Sequence, residues 1–513
     1  MSSKEGASYP ISRMLPFACR RASRGRVCRL AAALVAIVSL VVLAEPSNAG
    51  SVPNPVVTGP IAAPDLPGSP SHNYPFFSSD RNLPSYGYTE EEYFFQGTAN
   101  RYTLSTRSFV NTPIQPTASI VDIGHPYMTR MVVRRPADPK RFNGTVLVEW
   151  NNATNGFDAE NAWFNAWHQI MRDGYAWVGI STQNAAVAPL KTWNPTRYGN
   201  LDVTQGGSIT DDALSLDIYS QAGQAIKHPV GIDPLGGLRP KHVISTGVSQ
   251  SAARLAGYVN AINPLAGVYD GFVLISTLGN PIRTDLTVPV FKVLTEQDVV
   301  VLEGPVRQPD SNLFRTWEVA GVSHADREQR EAREPLELRD MLTSSEAILA
   351  PQCANPAIGT RPPTSNVHGE VFGDMARWLE PSKRPPPSAP RLQLTSIGSP
   401  SVVARNSLGL ALGGIQLSAV SVPTALNVGT NSGPGSCIRW GYYIPFSVAQ
   451  LNQLYPSHDD YVAQVAKAER HNVEQGYIDV DDAYRAVREA AESDIGKRDA
   501  GWQPDSHLGW FMR

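Results

Sequence analysis

The chain has 513 residues, of which 42% are hydrophobic and 18% are charged, and its formal net charge at pH 7 is −3. A chain of this length buries a sizeable core, and its apolar fraction excludes global disorder. The near-neutral charge argues against a nucleic-acid binder, which normally carries a basic stripe; the only basic cluster here lies near the N-terminus.

Residues 1–49 have the three-part layout of a secretory signal. Five arginines within 20–29 precede an apolar run over 30–43, and small residues then lead up to a cleavage position after Ala49. The run of 14 residues is shorter than the roughly 20 that span a bilayer. We therefore predict export with cleavage rather than retention as an anchor. The mature protein is expected to be secreted or periplasmic, without a membrane span.

The next segment, 50–89, is rich in Pro, Ser and Asn and predicts an irregular leader wrapped on the surface. Strand-like residues follow at Tyr93–Phe95, joined at Gly97 to Tyr102–Leu104, and again at Tyr127–Arg134. We place the beginning of the catalytic core at residue 90.

Short apolar runs alternate with helical patterns in the middle of the chain. The predicted strands are Val146–Trp150, Tyr175–Ser181, His242–Thr246, Gly271–Thr277, Val288–Thr295 and Phe314–Ala320. The predicted helices are Trp163–Met171, Leu214–Ile226 and Ser251–Ile262. This alternation predicts an α/β protein with a mostly parallel, doubly wound sheet flanked by helices, and the apolar strands indicate that both sheet faces are covered.

Beyond His324 the pattern weakens. Helical patterns recur at 367–379, 460–475 and 481–491, and 408–424 is Gly-rich and then strand-like. The Pro-rich stretch 381–390 is typical of a stiff linker. We therefore expect a catalytic core over 90–380 and an α+β C-terminal extension, 381–513, packed on that core.

The motif Gly247-Val248-Ser249-Gln250-Ser251 lies between a predicted strand and a predicted helix. In a G-x-S-x-G elbow, the serine occupies a tight strand-to-helix turn that exposes its Oγ at the helix N-terminus. Ser251 stands where this motif has its last glycine. We predict Ser249 as a nucleophile; the alternative is an ordinary helix cap.

A nucleophilic serine needs a base, and a histidine base needs a carboxylate to orient it. His324 follows a late strand through a short turn, where catalytic groups of such sheets gather. Asp298 and Glu296 both follow the strand before it. We favour Asp298 as the acid and retain Glu296 as the alternative acid.

The expected oxyanion hole consists of two backbone N–H groups. One belongs to Gln250, and the other to Asn151 or Asn152 after the first predicted core strand; the alternative for this asparagine pair is a plain polar turn. The chain has no dinucleotide-binding glycine motif and no Cys/His metal spacing, so we expect neither a cofactor nor a metal ion.

Four cysteines are present, and Cys19 and Cys28 would leave with the signal. In an oxidising compartment the remaining two, Cys353 and Cys437, are expected to form a disulfide, which the chain-entropy model values at roughly 4 kcal/mol. The alternative is two buried free thiols.

Together these stretches resemble the α/β-hydrolases, and more narrowly the large bacterial "alpha/beta hydrolase domain-containing" proteins. The resemblance extends from about Glu90 to Ala491. It is carried by VLVEWNN, WFNAWHQIMRDGYAWVGISTQ, GVSQSA, VPVFKVLTEQD, EVAGVSHAD, GLALGGIQLSAVSVPT and LYPSHDDYVAQV. It implies the α/β-hydrolase fold and cofactor-free hydrolysis with Ser249 as nucleophile, His324 as base and an acid within 296–298.

The resulting hypothesis is an exported serine hydrolase that cleaves carboxylic esters, small or polymeric, through an acyl-enzyme. Two alternatives remain open: an amidase or peptidase with the same triad, and a non-catalytic binding module on a hydrolase scaffold. The sequence leaves open the acyl and alcohol groups of the substrate and the oligomeric state.

Overall fold

The computed structural model describes residues 52–103, 118–344, 348, 350–381 and 384–497. The predicted signal, with Cys19 and Cys28, lies outside these residues. The described part from residue 52 onward belongs to one compact unit.

Ten strands form one sheet in the order β10-β9-β8-β7-β4-β5-β3-β2-β1-β6. They are β1 (Val56–Thr58), β2 (Tyr88–Thr103), β3 (Ser119–Pro136), β4 (Thr145–Trp150), β5 (Ala176–Ile180), β6 (Val230–Gly231), β7 (His242–Val248), β8 (Gly271–Ile275), β9 (Val290–Thr295) and β10 (Phe314–Val319). The six strands from β10 to β5 run parallel, and β6 is parallel to β1. Strands β3, β2 and β1 add antiparallel pairs. The predicted mostly parallel sheet is confirmed.

Helices cover this sheet. They are α1 (Asn161–Arg172), α2 (Asn184–Trp193), α3 (Pro195–Tyr198), α4 (Ser215–Lys227), α5 (Gln250–Gly257), α6 (Asn263–Ala266), α7 (Glu296–Asp298), α8 (Arg327–Met341), α9 (Thr364–Trp378), α10 (Ser418–Ser421), α11 (Val448–Leu454), α12 (His458–Glu474) and α13 (Val480–Glu492). Every residue of β4, β5, β8, β9 and β10 is buried. Both faces are therefore covered, which explains why the strands are apolar runs rather than alternating patterns.

Two stretches of π-helix, Tyr258–Ile262 and Val299–Glu303, continue the chain after α5 and α7. Short 3₁₀ turns occupy Leu83–Tyr86, Pro139–Arg141, Gly304–Val306, Ala350–Gln352 and Cys437–Arg439. The C-terminal residues form two small antiparallel pairs, β11 (Leu394–Ser396) with β12 (Val402–Val403) and β13 (Ala425–Val428) with β14 (Tyr442–Pro445). With the last four helices they give the expected α+β character. Across the described residues, no helix has the length and apolarity of a membrane span.

The N-terminal strands differ from the expectation. Instead of two strands joined at Gly97, β2 runs without a break through that glycine. A Cβ at position 97 would lie 2.6 Å from Gln221 Oε1 on α4. The glycine is therefore needed because α4 packs closely on the strand, not because the chain turns there.

The leader also differs from the expected surface wrap. It is mostly irregular, but β1 joins the sheet, and Tyr74, Phe76 and Phe77 are buried. The Tyr74 hydroxyl and the Phe77 N–H both donate to the carboxylate of Asp340 on α8. These contacts tie the leader to the core.

Helix α8 was missed because its sequence, REQREAREPLELRDM, has almost no apolar periodicity and contains Pro335. Polar contacts hold it instead, among them the hydrogen bonds that Asp340 accepts from the leader and one that Arg330 donates to the carbonyl of Ile358. The strand-like pattern expected at the end of 408–424 is wrong, because that stretch contains α10 and the strand β13 begins only at Ala425.

Candidate active site

The elbow motif lies where β7 ends and α5 begins. Ser249 sits between them with φ 61° and ψ −120°, a conformation that is sterically costly for a residue with a Cβ. Its N–H donates to the carbonyl of Ile275 at 2.9 Å, and its carbonyl accepts from the N–H of Ala253 at 2.9 Å. The sheet and the helix therefore hold the serine in this strained turn from both sides.

Two small residues flank Ser249 and make the turn possible. A Cβ at Gly247 would lie only 3.0 Å from both Leu255 Cδ1 and Ser251 Oγ, so a larger residue would push the helix away. Ser251, which replaces the motif's last glycine, is fully buried and its Oγ lies 3.0 Å from both the N–H and the carbonyl of Val248. The substitution is accommodated because the hydroxyl hydrogen-bonds within the turn.

The structure brings Ser249, His324 and Asp298 together. His324 Nε2 lies 2.8 Å from Ser249 Oγ, and His324 Nδ1 lies 2.6 Å from Asp298 Oδ1. An Nδ1–H that donates to the carboxylate leaves Nε2 free to accept the serine proton. Asp298 lies in α7, directly after β9, and its other oxygen accepts from the N–H of Thr295 at 2.8 Å.

Glu296, the alternative acid, has other partners. It is fully buried, and its carboxylate pairs with Arg405 at 2.6 Å. It also accepts hydrogen bonds from the N–H groups of Gly321 at 2.9 Å and Gly429 at 3.2 Å. Glu296 therefore joins the loop before His324 to the C-terminal extension, and the carboxylate on the histidine is that of Asp298.

The predicted oxyanion donors differ in whether their N–H groups are available. Gln250 is the first residue of α5, so its N–H has no acceptor within the helix and is available beside Ser249. The N–H groups of Asn151 and Asn152 donate to the carbonyls of Ile180 at 3.1 Å and Ala159 at 2.8 Å. The prediction that one of these two asparagines supplies the second donor is therefore wrong, because the sheet register and a bridge to residue 159 occupy both groups.

The loop after β4 nevertheless reaches the elbow. The side-chain amide of Asn152 donates to the carbonyl of Val248 at 2.8 Å. The N–H of the next residue, Ala153, makes only a long contact of 3.4 Å with Gln250 Oε1. β4 ends at Trp150, as predicted, so the expectation failed in the loop and not at the strand end, because Asn152 pairs there with Ala159.

A pocket of about 550 Å³, including its open mouth, lies over Ser249 and His324. Its walls are mainly polar. They are formed by Asn152, Thr154, Asn155, Asn161, Val248, Ala325, Gln329, Arg333, Ser436, Arg439 and Trp440. Among these wall residues only Asn152 was predicted to belong to the site. Thr154, Asn155, Val248 and Ala325 lie next to the predicted residues, whereas the rest come from α1, α8 and a C-terminal loop that the fold brings together.

The expected disulfide between Cys353 and Cys437 is present. Cys437 opens the short turn Cys437–Arg439, so the bond fixes the loop that supplies Ser436, Arg439 and Trp440 to the pocket. The carbonyl of Arg439 accepts from the N–H of Ala325 at 3.1 Å, directly after the predicted base.

A second histidine lies close to the acid. His368, on α9, is buried, and burial lowers its pKa to about 4, while the charge of Asp298 acts in the opposite direction. The ring is therefore neutral at neutral pH. Among the described residues, no group of three or more His, Cys, Asp or Glu side chains is placed to hold a metal ion.

The fold agrees with the family comparison. The chain belongs to a family described as "alpha/beta hydrolase domain", whose sequence model matches residues 57–488. The expected α/β-hydrolase fold is thereby confirmed.

Several solved structures of esterases are similar to parts of the chain. Esterase Est22 is 12% identical, over 42% of this chain and 67% of its own, with a TM-score of 0.26. Two esterases from Rhizomucor miehei are described by a structure that is 10% identical over 39% of this chain and 66% of its own, with a TM-score of 0.21. The rice cell wall degrading esterase LipA from Xanthomonas oryzae is 13% identical over 37% and 43%, with a TM-score of 0.20. No curated protein matches the chain.

Proposed function

We propose that the protein is an exported serine hydrolase that cleaves carboxylic esters through an acyl-enzyme. The observation that supports this most directly is the hydrogen-bonded chain from Ser249 Oγ through His324 to Asp298, at a strained strand-to-helix turn beneath an open pocket. Such an arrangement activates a hydroxyl that is otherwise unreactive at neutral pH.

Each residue has a defined role in the proposed reaction. His324 Nε2 takes the proton of Ser249 as Oγ attacks the ester carbonyl, and Asp298 stabilises the imidazolium that forms. The N–H groups of Gln250 and, in place of the asparagine pair, Ala153 hold the oxyanion. His324 gives its proton to the departing alkoxide, which leaves as alcohol. Water, deprotonated by His324, then attacks the acyl carbonyl, and His324 returns the proton to Ser249 Oγ as the acid leaves.

The test uses short-chain p-nitrophenyl esters and a fluorophosphonate probe. Wild-type protein is expected to hydrolyse the esters and to be labelled, whereas Ser249→Ala loses labelling and at least about 10³-fold in kcat. Ser407→Ala, which removes an exposed hydroxyl outside the pocket, is the matched control and retains both. Equal turnover by wild type and Ser249→Ala, or folded wild type that is not labelled, contradicts the proposal.

The export step is proposed from residues 1–49 and from the disulfide, since such bonds persist in oxidising compartments. Expression of the full chain in a bacterial host should release a protein that begins at Gly50, as measured by intact mass. Only full-length protein in the cytoplasmic fraction would contradict export.

A further inference from the structure

The pocket over Ser249 carries two positive charges and no carboxylate in its wall. Arg439 comes from the disulfide-bonded loop and Arg333 from α8. Apart from Ser249 and His324, the wall residues are otherwise neutral, with side-chain amides and hydroxyls predominating. Such a surface favours a ligand that is anionic and rich in oxygen.

Arg439 is the cation that is available to a ligand. Its side chain is half-buried, and its Nη2 donates to Ser436 Oγ at 2.9 Å. Within the described part of the chain, no carboxylate lies within 4.0 Å of its guanidinium. The residue is held in place by the adjacent disulfide and by the bond from Ala325 N–H to its carbonyl. A fixed guanidinium with unused donors is suited to a bidentate carboxylate contact.

Arg333, on α8, is the second positively charged residue in the pocket wall. It is 6% exposed and its Nε lies 2.9 Å from Glu337. Burial lowers the pKa of this guanidinium, although the group stays charged at neutral pH. Glu337 and Glu334 both act on Arg333 and offset its charge, so Arg439 is the cation of the wall whose charge a ligand meets.

One buried amide oxygen in the pocket wall has no hydrogen-bond partner. Asn161, at the start of α1, is 7% exposed, and its Oδ1 has no hydrogen-bond partner among the described residues. A buried acceptor without a partner is costly unless a donor supplies the missing hydrogen bond, so this oxygen calls for a water molecule rather than for the carboxylate. This atom belongs to the same pocket wall as the two arginines.

We propose that Arg439 binds an ionised carboxyl group of the substrate, so that the preferred substrates are esters that carry a second, free carboxylate. This inference rests on the proposed function, because it assigns the substrate class of the same site. The reacting ester lies at Ser249, and the carboxylate lies against the wall formed by the disulfide-bonded loop.

The test compares p-nitrophenyl hydrogen glutarate with p-nitrophenyl valerate, which has the same five-carbon acyl chain without the charge. A second pair, 4-acetoxybenzoate and phenyl acetate, places the charge on the alcohol side. For at least one pair, the wild-type ratio of kcat/KM, anionic over neutral, is expected to be about 10 or more at low salt and to fall in high salt. Arg439→Gln lowers this ratio roughly tenfold.

Arg470→Gln is the matched control, because Arg470 is an exposed arginine on α12 outside the pocket. It should leave the ratio at the wild-type value. Turnover of the neutral esters, combined with ratios near one in both pairs or a ratio that Arg439→Gln leaves unchanged, overturns the carboxylate site while the proposed function stands.

A binding measurement distinguishes failure of the carboxylate site from failure of the proposed function. Calorimetry with monomethyl glutarate and the Ser249→Ala variant, with and without Arg439→Gln, does not depend on catalysis. Should no ester be turned over and no probe label the protein, the proposed function fails. Saturable binding that Arg439→Gln weakens roughly tenfold then still supports the carboxylate site, whereas the absence of binding overturns it.

Discussion

Two acidic residues separated by one position make different contacts in this fold. Asp298 contacts the ring of His324, whereas Glu296 pairs with Arg405 and accepts two backbone N–H groups. Asp298→Asn is expected to lower kcat by about 10³–10⁴-fold, because the amide no longer holds the histidine in the tautomer that accepts the serine proton. Ester turnover with matched melting curves measures this effect.

Glu296→Gln serves as the control variant. Removal of its charge leaves Arg405 without its partner, so the free energy of unfolding should fall by about 1–3 kcal/mol while kcat falls much less than in Asp298→Asn. A larger loss of kcat in Glu296→Gln than in Asp298→Asn would contradict the assignment of the acid.

His368 leads to a prediction about pH. Burial lowers its pKa to about 4 from 6.5, so the folded protein keeps the ring neutral where the unfolded chain takes up a proton. Stability is therefore lost as the pH falls from 6.5 towards 4. Over this range the site should remove about 3 kcal/mol from the free energy of unfolding.

Urea unfolding of wild type and His368→Gln at several pH values measures this contribution. The variant is expected to lose less stability between pH 6.5 and 4 than the wild type, and the difference isolates His368 from other titrating groups. His228→Gln, at an exposed histidine, should retain the wild-type slope. Identical slopes for wild type and His368→Gln would show that this ring does not control acid stability.

Site residues were predictable from the sequence where a local pattern, such as a preceding strand, marks them. Ser249, His324 and Asp298 each follow the carboxyl end of a strand, and parallel strands bring such ends to one edge of a sheet. Arg439 and Asn161 carry no such signal, because their place in the pocket depends on a disulfide-bonded loop and on the packing of α1. The engagement of the Asn151 and Asn152 N–H groups was not foreseeable, because their acceptors on Ile180 and Ala159 are set by strand pairing and by a loop bridge.

At the scale of elements, the loop bearing Cys437 connects stability to the pocket. The disulfide closes a separation of 84 residues and holds the segment with Arg439 and Trp440 in the pocket wall. Its loss should lower the free energy of unfolding by about 2–5 kcal/mol and should also lower kcat/KM. Melting curves and ester turnover with and without reductant measure both effects.

The double variant Cys353→Ser/Cys437→Ser is the control for reductant acting elsewhere. It should have the lower stability from the outset and show no further response to reductant. A wild-type protein that yields two free thiols after denaturation without reductant would contradict the bond in the purified protein.

Elements were predictable where they are apolar and periodic. The core strands and α4, α9, α12 and α13 lie within a few residues of their predicted positions. Helix α8 escaped detection because hydrogen bonds of its charged side chains hold it in place, and α2 because it is short and contains Pro189. Hydrophobic periodicity reports burial of apolar faces, so it cannot detect a helix that is fixed by charges.

At the scale of the whole molecule, the C-terminal extension covers one edge of the sheet. Strand β10 is an edge strand, and the Ile415 backbone pairs with it through bonds to the Glu318 carbonyl at 2.7 Å and the Ala320 N–H at 3.0 Å. The buried Glu318 carboxylate accepts from the N–H of Leu392, and the Trp317 indole donates to the carbonyl of Pro387. The extension therefore completes the core.

A mature chain that ends at Glu380 is thus expected not to fold. It would expose the edge of β10, remove the Leu392 and Arg391 contacts of the buried Glu318 and leave the Trp317 indole without its acceptor, which together favours aggregation. A chain that ends at Lys497 is the matched control and should melt like the full mature protein. Far-UV circular dichroism and tryptophan fluorescence should give one coincident transition for that control. A chain of residues 50–380 that folds and melts within a few degrees of the control would instead show that the core is independent of its extension.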